Sequence, residues 1–340
     1  MEIHQTYTLK ELNTFGVDVN AKFFSVFKTS EELIKLLDEV LFDHKLLILG
    51  EGSNILFTQN YEGYVLKNDI KGIGKIYENE DEVVLRIGAG ELWHKFVFYC
   101  IENNFGGVEN MSLIPGTVGA APVQNIGAFG VEQKDVFEKL EALNIATKKV
   151  EEFDADQCDF SYRDSFFKRH GKGRYVITNV YYRLSKRNHK MKYTSNSAIK
   201  NQLLQNKVDV PTIEDISKAV VQIRQSKFPN PAKIGNSGSF FKNPIISMEQ
   251  FETTKEKYPE IISHPVDDTK VLVPAAWLIE KAGWKGTTFE EKYGVYKYHA
   301  LVLVNYGGAS GKAIQELAFK IMRDVELKFG IQLEAEVNIV

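Results

Sequence analysis

Residues 114–130 read Ile114-Pro115-Gly116-Thr117-Val118-Gly119-Ala120-Ala121-Pro122-Val123-Gln124-Asn125-Ile126-Gly127-Ala128-Phe129-Gly130, with four glycines, two prolines and no charged residue. No regular element suits this mixture. Proline removes backbone donors, glycine weakens helices and strands alike, and the apolar residues follow neither a 3.6- nor a 2-residue period. A solvated loop would normally carry charge. The segment is therefore expected to lie against something: small residues let a backbone approach a phosphate closely, and their amides can form an anion-binding nest. Rigid elements on either side must hold it.

Those elements are legible. Thr29-Ser30-Glu31-Glu32 fits a capping box, with the Thr29 hydroxyl taking a free amide and Glu32 reaching back, ahead of a helical spacing of Leu33, Leu36, Leu37, Val40 and Leu41. The run Leu46-Leu47-Ile48-Leu49 reads as a strand ending in Gly50. Residues 83–87, 140–145 and 176–184 read as strands and 92–104 as a helix, while 186–211, polar and irregular, reads as a mobile loop or linker. Thr212 caps a helix with Ile213, Ile216, Val220 and Ile223 on one face. Pro274 opens a helix that Gly283 ends, 300–304 is a buried-strand run, and Ser310 starts a long helix stopped by Gly330. At the end, Ile331, Leu333, Ala335, Val337 and Ile339 alternate with Gln332, Glu334, Glu336 and Asn338, as in a half-buried strand.

A second glycine cluster, Gly50-Glu51-Gly52-Ser53-Asn54, follows a strand directly. It is not a dinucleotide fingerprint, because Ile55 stands at the sixth position and no helical pattern follows; Gly88-Ala89-Gly90 fails the same test at Trp93. Neither is a P-loop, since no Gly-Lys-Ser/Thr follows. Composition narrows the class. At 340 residues the chain exceeds the ~250–300 at which one core stops growing, so two or three domains are expected. Lys+Arg 42 against Asp+Glu 45 gives −3, which speaks against nucleic acid as partner. Two cysteines make no disulfide framework, the amino-terminal residues show no apolar leader, and no run approaches a membrane span, so a cytoplasmic protein with no membrane partner is expected. The seven histidines are scattered and suggest no metal site.

Taken together, Asn13-Thr14-Phe15-Gly16, Gly50-Glu51-Gly52-Ser53-Asn54, residues 114–130 and Ser161-Tyr162-Arg163-Asp164-Ser165 make a recognisable set. So do Gly235-Asn236-Ser237-Gly238-Ser239-Phe240-Phe241-Lys242-Asn243-Pro244 and Leu333-Glu334-Ala335-Glu336-Val337. In this order the chain resembles the UDP-N-acetylenolpyruvoylglucosamine reductases, flavoenzymes of peptidoglycan precursor synthesis, in the longer form that carries a substrate-loop tyrosine. The resemblance implies an α+β protein: an FAD-binding fold of the vanillyl-alcohol-oxidase-like type, with two α/β subdomains, plus a smaller α+β substrate-binding domain. The expected division is 1–67, joined by the C-terminal strand at about 330–340, then 68–225, then 226–329. It also implies non-covalent FAD, NADPH as hydride donor, UDP-N-acetylglucosamine enolpyruvate as substrate, and a monomer. The family's reaction is a two-step hydride relay from NADPH through FAD to the enolpyruvyl double bond.

That chemistry leaves negative charge beside the substrate carboxylate, so a cation and a proton donor lower its barrier. The resemblance places Arg163 at the carboxylate, where a planar guanidinium can bind bidentately; read alone, Arg163 fits an ion pair with Asp159 or Asp164 equally well. It makes Ser239 the proton donor, with Lys227 helping the alkoxide, although a serine between glycine and phenylalanine is otherwise a turn residue. Alternation puts Glu334 and Glu336 on one face and chooses neither; the resemblance selects Glu336, with Ala335 where the family often has proline. For FAD it implies Gly50, Gly52, Ser53, Asn54, Ile114, Pro115, Gly116, Gly119, Ala120, Gly127 and Arg224. For substrate it implies Tyr193, Lys227, Asn243 and His299, the last standing where some members have glutamine. Two other readings stay open: an FAD-linked oxidase of the same fold, and a non-catalytic flavin or nucleotide-sugar binding protein. Several such oxidases attach flavin through a histidine in the glycine-rich turn, and here the turn has Ser53.

Overall fold

The computed structural model describes residues 2–39 and 44–340. Val40 and Leu41 of the first helical pattern lie outside the described residues. The chain forms two compact units: Met1–Tyr7 with Ala21–Glu51 and Glu62–Gln225, and Thr8–Asn20 with Gly52–Tyr61 and Ser226–Val340.

Among the described residues the first unit holds two larger sheets and a short pair, Gly127–Ala128 with Val131–Glu132. In one, the strands run in the order His4–Thr8, Asn20–Phe27, Tyr61–Asn68, Lys45–Leu49. The last two pair in parallel, Leu47 opposite Val65, and helix Ser30–Glu39 lies in the chain between Asn20–Phe27 and Lys45–Leu49. Thr29 caps that helix through the Glu32 amide at 3.2 Å, but the Glu32 carboxylate reaches past Thr29 to the Lys28 amide, 2.7 Å. Leu33, Leu36 and Leu37 fill a core with Phe27, Leu66 and Ile70.

The other sheet is antiparallel: Val150–Phe153, Phe137–Asn144, Tyr175–Ser185, Glu82–Gly88, Ile73–Glu78. Its apolar face packs on helix Trp93–Glu102, where Trp93, Phe96 and Tyr182 make edge and stacked ring contacts. Cys100 and Cys158 are buried in the same core, and burial first of all raises both thiols, Cys158 to about 12.

The expectation for 186–211 is corrected. Residues 197–205 form helix Ser197–Gln205, capped by the Asn196 side chain, which accepts from the Ala198 and Ile199 amides. Ile199 and Leu203, one turn apart, close a small core with Ile216, Ala219, Val220 and Ile223 of helix Ile213–Lys227. Two buried apolar residues and one cap outweigh a polar composition.

The second unit contains two three-stranded antiparallel sheets, Ile245–Ser247 / Lys270–Leu272 / His264–Pro265 and Thr288–Phe289 / Tyr293–Val295 / Leu303–Asn305. Helix Gly311–Phe329 starts at Ser310, whose hydroxyl takes the Ala313 amide, and ends at Gly330 with φ +68°. The C-terminal stretch is extended but divides its pairing. Ala335 bridges Phe241, and only Asn338–Ile339 forms a strand, parallel to Ile55–Leu56. Ile331, Leu333 and Val337 are buried as the alternation requires, while Ala335 and Ile339 are only half-buried.

Candidate active site

In the second unit, three distant stretches are tied by backbone. Gly52 takes φ +69°, and its carbonyl accepts the Thr14 amide at 3.0 Å. A Cβ at Gly52 would sit 2.0 Å from the Leu12 oxygen, so no other residue fits without moving the chain. The Thr14 oxygen takes the Asn236 amide (2.9 Å), and Gly235 exchanges two bonds with Asn305. Asn305 also donates to the Phe15 oxygen at 2.8 Å, and Asn13 folds back on Leu9 and Val17. The buried asparagines thus act as cross-braces, each satisfying backbone groups that the turns leave open.

This frame fixes Ser239. The Gly238 amide donates to Asn236 Oδ1 (3.0 Å) and the Phe240 amide to the Leu301 oxygen (2.8 Å). The Glu336 amide then donates to the Phe240 oxygen, 2.8 Å, so Ser239 and Glu336 are neighbours through one backbone bond. Asn54 donates its side-chain amide to the Glu336 oxygen (3.2 Å), which puts Gly52-Ser53-Asn54 at the same place. Glu334 and Glu336 are not equivalent. Glu334 is exposed and pairs with Lys242 at 2.5 Å, whereas Glu336 is half-buried beside the Ser239 turn.

In the first unit, residues 114–130 are pinned along their length. The Glu51 carboxylate accepts the Gly116 amide, and Trp93 donates its own amide to the Gly116 oxygen (2.9 Å). The Val118 and Gly119 amides go to the Glu91 and Ala89 oxygens, each 2.8 Å. A Cβ at Gly50 would lie 2.6 Å from Thr117 Oγ1, and one at Gly119 2.5 Å from the Ala89 Cβ. Gly88 and Gly90 are likewise explained by backbone packing against residues 68–71.

The Ser161–Ser165 turn is fastened to this segment three times. Asn125 donates to the Ser161 oxygen (3.0 Å), Ser165 Oγ to the Val123 oxygen (2.7 Å) and Arg163 Nη2 to the Gly127 oxygen (2.8 Å). Arg163 has φ +55°, and its guanidinium lies 5.3 Å from the Tyr162 ring centroid. Asp159 and Asp164 both pair with Arg169, at 2.5 and 3.3 Å. Arg224, on helix Ile213–Lys227, donates Nε to the Leu113 oxygen at 3.2 Å, and desolvation pushes its guanidinium down to about 10.

Three of the four predicted substrate residues have other engagements. Asn243 Oδ1 caps helix Ala275–Lys281 by accepting the Ala275 amide, 2.9 Å. Tyr193 is half-buried against the Ile199–Ile223 core. His299 accepts the Leu301 amide through Nδ1 (3.2 Å) and lies beside the Phe228 ring. Lys227 is exposed at the end of its helix.

The comparisons with known proteins agree in direction. Residues 230–340 match the family described as UDP-N-acetylenolpyruvoylglucosamine reductase, C-terminal domain, and residues 21–154 match the FAD binding domain. The UDP-N-acetylenolpyruvoylglucosamine reductase of Flavobacterium johnsoniae is 48% identical over 100% of both chains, and that of Amoebophilus asiaticus 47% over 100% of both. The chain belongs to the UDP-N-acetylenolpyruvoylglucosamine reductase family. The UDP-N-acetylenolpyruvylglucosamine reductase structure from Thermus caldophilus, 21% identical, shares the fold with a TM-score of 0.64 over 99% of this chain and 98% of that one. As a member of this reductase family the protein is an oxidoreductase whose cofactor is FAD.

The residues present fit such a cofactor. Ser237 Oγ is buried and has no hydrogen-bond partner among the described residues, a state that a bound polar group relieves. Glu51, Asn125, Asn236, Ser237 and Asn305 are site-building residues absent from the sequence-based set. Three of them lie inside the quoted motifs and Asn125 within residues 114–130. Burial of the polar side chains marks Asn125, Asn236, Ser237 and Asn305, and it appears only after folding.

Proposed function

We propose that the protein reduces UDP-N-acetylglucosamine enolpyruvate to UDP-N-acetylmuramate, with NADPH as electron source, in peptidoglycan precursor synthesis. The chemistry that bound FAD supplies is carriage of hydride from NADPH to the enolpyruvyl double bond. Arg163 neutralises the substrate carboxylate as charge develops beside it. Ser239 donates the proton to the neighbouring carbon; a hydroxyl suffices because the acceptor is a strongly basic carbanion-like centre. Lys227 supports the alkoxide, and Glu336 supports the enolic form from its place next to the Ser239 turn. Asn243 and His299 contribute to substrate contact with the groups their backbone bonds leave over, and Tyr193 comes from the loop before helix Ser197–Gln205. The three-part division of the chain belongs to the same reading, and the return of the chain to the second unit at Ser226 supports its second boundary.

The observation that carries this reading is the Glu336 amide to Phe240 oxygen bond. It joins the proton donor and the acid over almost a hundred residues of sequence, in a chain 48% identical to a named reductase. Anaerobic half-reactions test it. NADPH should bleach the yellow protein, and the enolpyruvyl substrate should restore the colour. Colour restored only by oxygen would mean an oxidase, and a protein that never binds flavin would mean a non-catalytic binder.

A further inference from the structure

Pro115 has a fixed φ and restricts Ile114 to extended backbone, so the entry of residues 114–116 is decided one position earlier, at Leu113. Leu113 has φ +59°, a left-handed conformation that a leucine does not hold unaided. Both of its peptide groups are held by side chains. Its amide donates to His94 Nδ1 at 3.0 Å, and its oxygen accepts from Arg224 Nε at 3.2 Å. The first residue of His94's helix, Trp93, takes the flanking carbonyls, donating Nε1 to the Met111 oxygen (3.0 Å) and its backbone amide to the Gly116 oxygen (2.9 Å).

We propose that His94 is a positioning residue for the cofactor: through a bare Nδ1 it fixes Leu113 in the left-handed conformation and thereby presents Ile114, Pro115 and Gly116 to FAD. This rests on the functional reading above. A backbone N–H can only donate, so Nδ1 must accept and the ring carries its proton on Nε2. Burial first, and then the field of Arg224, holds His94 below its usual pKa, which keeps the ring in that neutral form. Arg224 thus serves twice, as the second anchor of Leu113 and as the charge that keeps the first anchor deprotonated.

The test compares His94→Leu, His94→Asn and His94→Gln in the full chain, with and without added FAD. The asparagine oxygen falls where Nδ1 was; the glutamine oxygen falls near Nε2. Hydrogen exchange of the peptide covering 112–118, measured without FAD, should quicken about tenfold or more in His94→Leu and His94→Gln and return toward wild type in His94→Asn. The FAD dissociation constant, read from flavin fluorescence, should rise about ten- to a hundredfold in the first two and recover in the third. Equal protection and affinity in His94→Leu would overturn the proposal. So would rescue by glutamine as good as by asparagine, since ring volume would then be what matters. A wild-type chain that binds no FAD would sink the functional reading instead, and the exchange data would still decide whether His94 holds Leu113.

Discussion

Two segments that carry predicted site residues, 114–130 in the first unit and 235–241 in the second, are held in place by different means. Around 235–241 the bonds are mostly backbone to backbone, from Thr14, Asn305, Leu301 and Glu336, and the positive φ within it falls on a glycine, Gly238 at +71°. In 114–130 the amides at 118 and 119 also go to backbone, but the bends depend on side chains: Glu51 and Ser165 from elsewhere, Asn125 from within, and His94 and Arg224 at Leu113 just before the segment. Positive φ falls there on Asn125 and Phe129 besides Gly116 and Gly130, and on Leu113 just before the segment. The first design places Ser239 through the chain path and should forgive most side-chain changes outside its asparagines. The second stores conformational cost in non-glycine residues and depends on the identity of the groups that hold them.

Deleting residues 331–340 tests the backbone-held segment hardest. It removes Glu336, its bond to Phe240 and the Asn338–Ile339 strand, and turnover should fall below detection in a steady-state assay. An active truncation would show that the end of the chain does not build the site.

Ser239→Ala leaves every backbone bond of that segment in place. Reduction by NADPH should survive, while reoxidation by substrate slows about 10²- to 10⁴-fold in anaerobic stopped flow. Equal slowing of both halves would make Ser239 a residue that positions the cofactor and not the acid.

Gly235→Ala strikes the frame itself, because the added Cβ would meet the Phe15 oxygen at 2.2 Å. A loss of about 1–3 kcal/mol or more is expected from the shift in the denaturant midpoint. Asn125→Ala is the matching change in the other segment. It removes the bond to the Ser161 oxygen and the acceptor for Gln133 and Lys134, and it puts alanine at φ +44°. A loss of about 1–2 kcal/mol should appear, with a weakened grip on Arg163 seen as a raised KM for substrate. If Asn125→Ala costs nothing measurable, the proposed contrast fails.

The smallest effect concerns pH. His94 is lowered from about 6.5, so the folded chain prefers the neutral ring. Its contribution is fully present above pH ~6.5 and is lost as pH falls through the lower folded value, when a protonated Nδ1 can no longer accept from Leu113. FAD affinity should therefore weaken modestly toward pH 5 in wild type and stay flat in His94→Asn, measured by flavin fluorescence. Residues 235–241 contain no titrating group and should show no matching change.

Helices with a cap and an apolar stripe, such as Ile213–Lys227 and Gly311–Phe329, were readable from the amino-acid order because their signals are local: a hydroxyl at the start, a 3.6-residue period and, for the second, a glycine at the end. The three central strands of the antiparallel sheet were readable from their local apolar runs, while its two edge strands, Ile73–Glu78 and Val150–Phe153, were not; the glycine-rich segments were readable as places where a backbone must come close to something. Helix Ser197–Gln205 was missed because composition hid two buried residues whose partners lie on another helix. Likewise, period-2 alternation could not separate Glu334 from Glu336; the neighbours did, Lys242 for one and the Phe240 carbonyl for the other. The roles of Asn236, Asn305, Asn125 and His94 could be decided only by tertiary structure. A buried polar side chain acquires its function from whichever backbone groups the fold leaves without partners, and those groups come from parts of the chain up to 290 residues away.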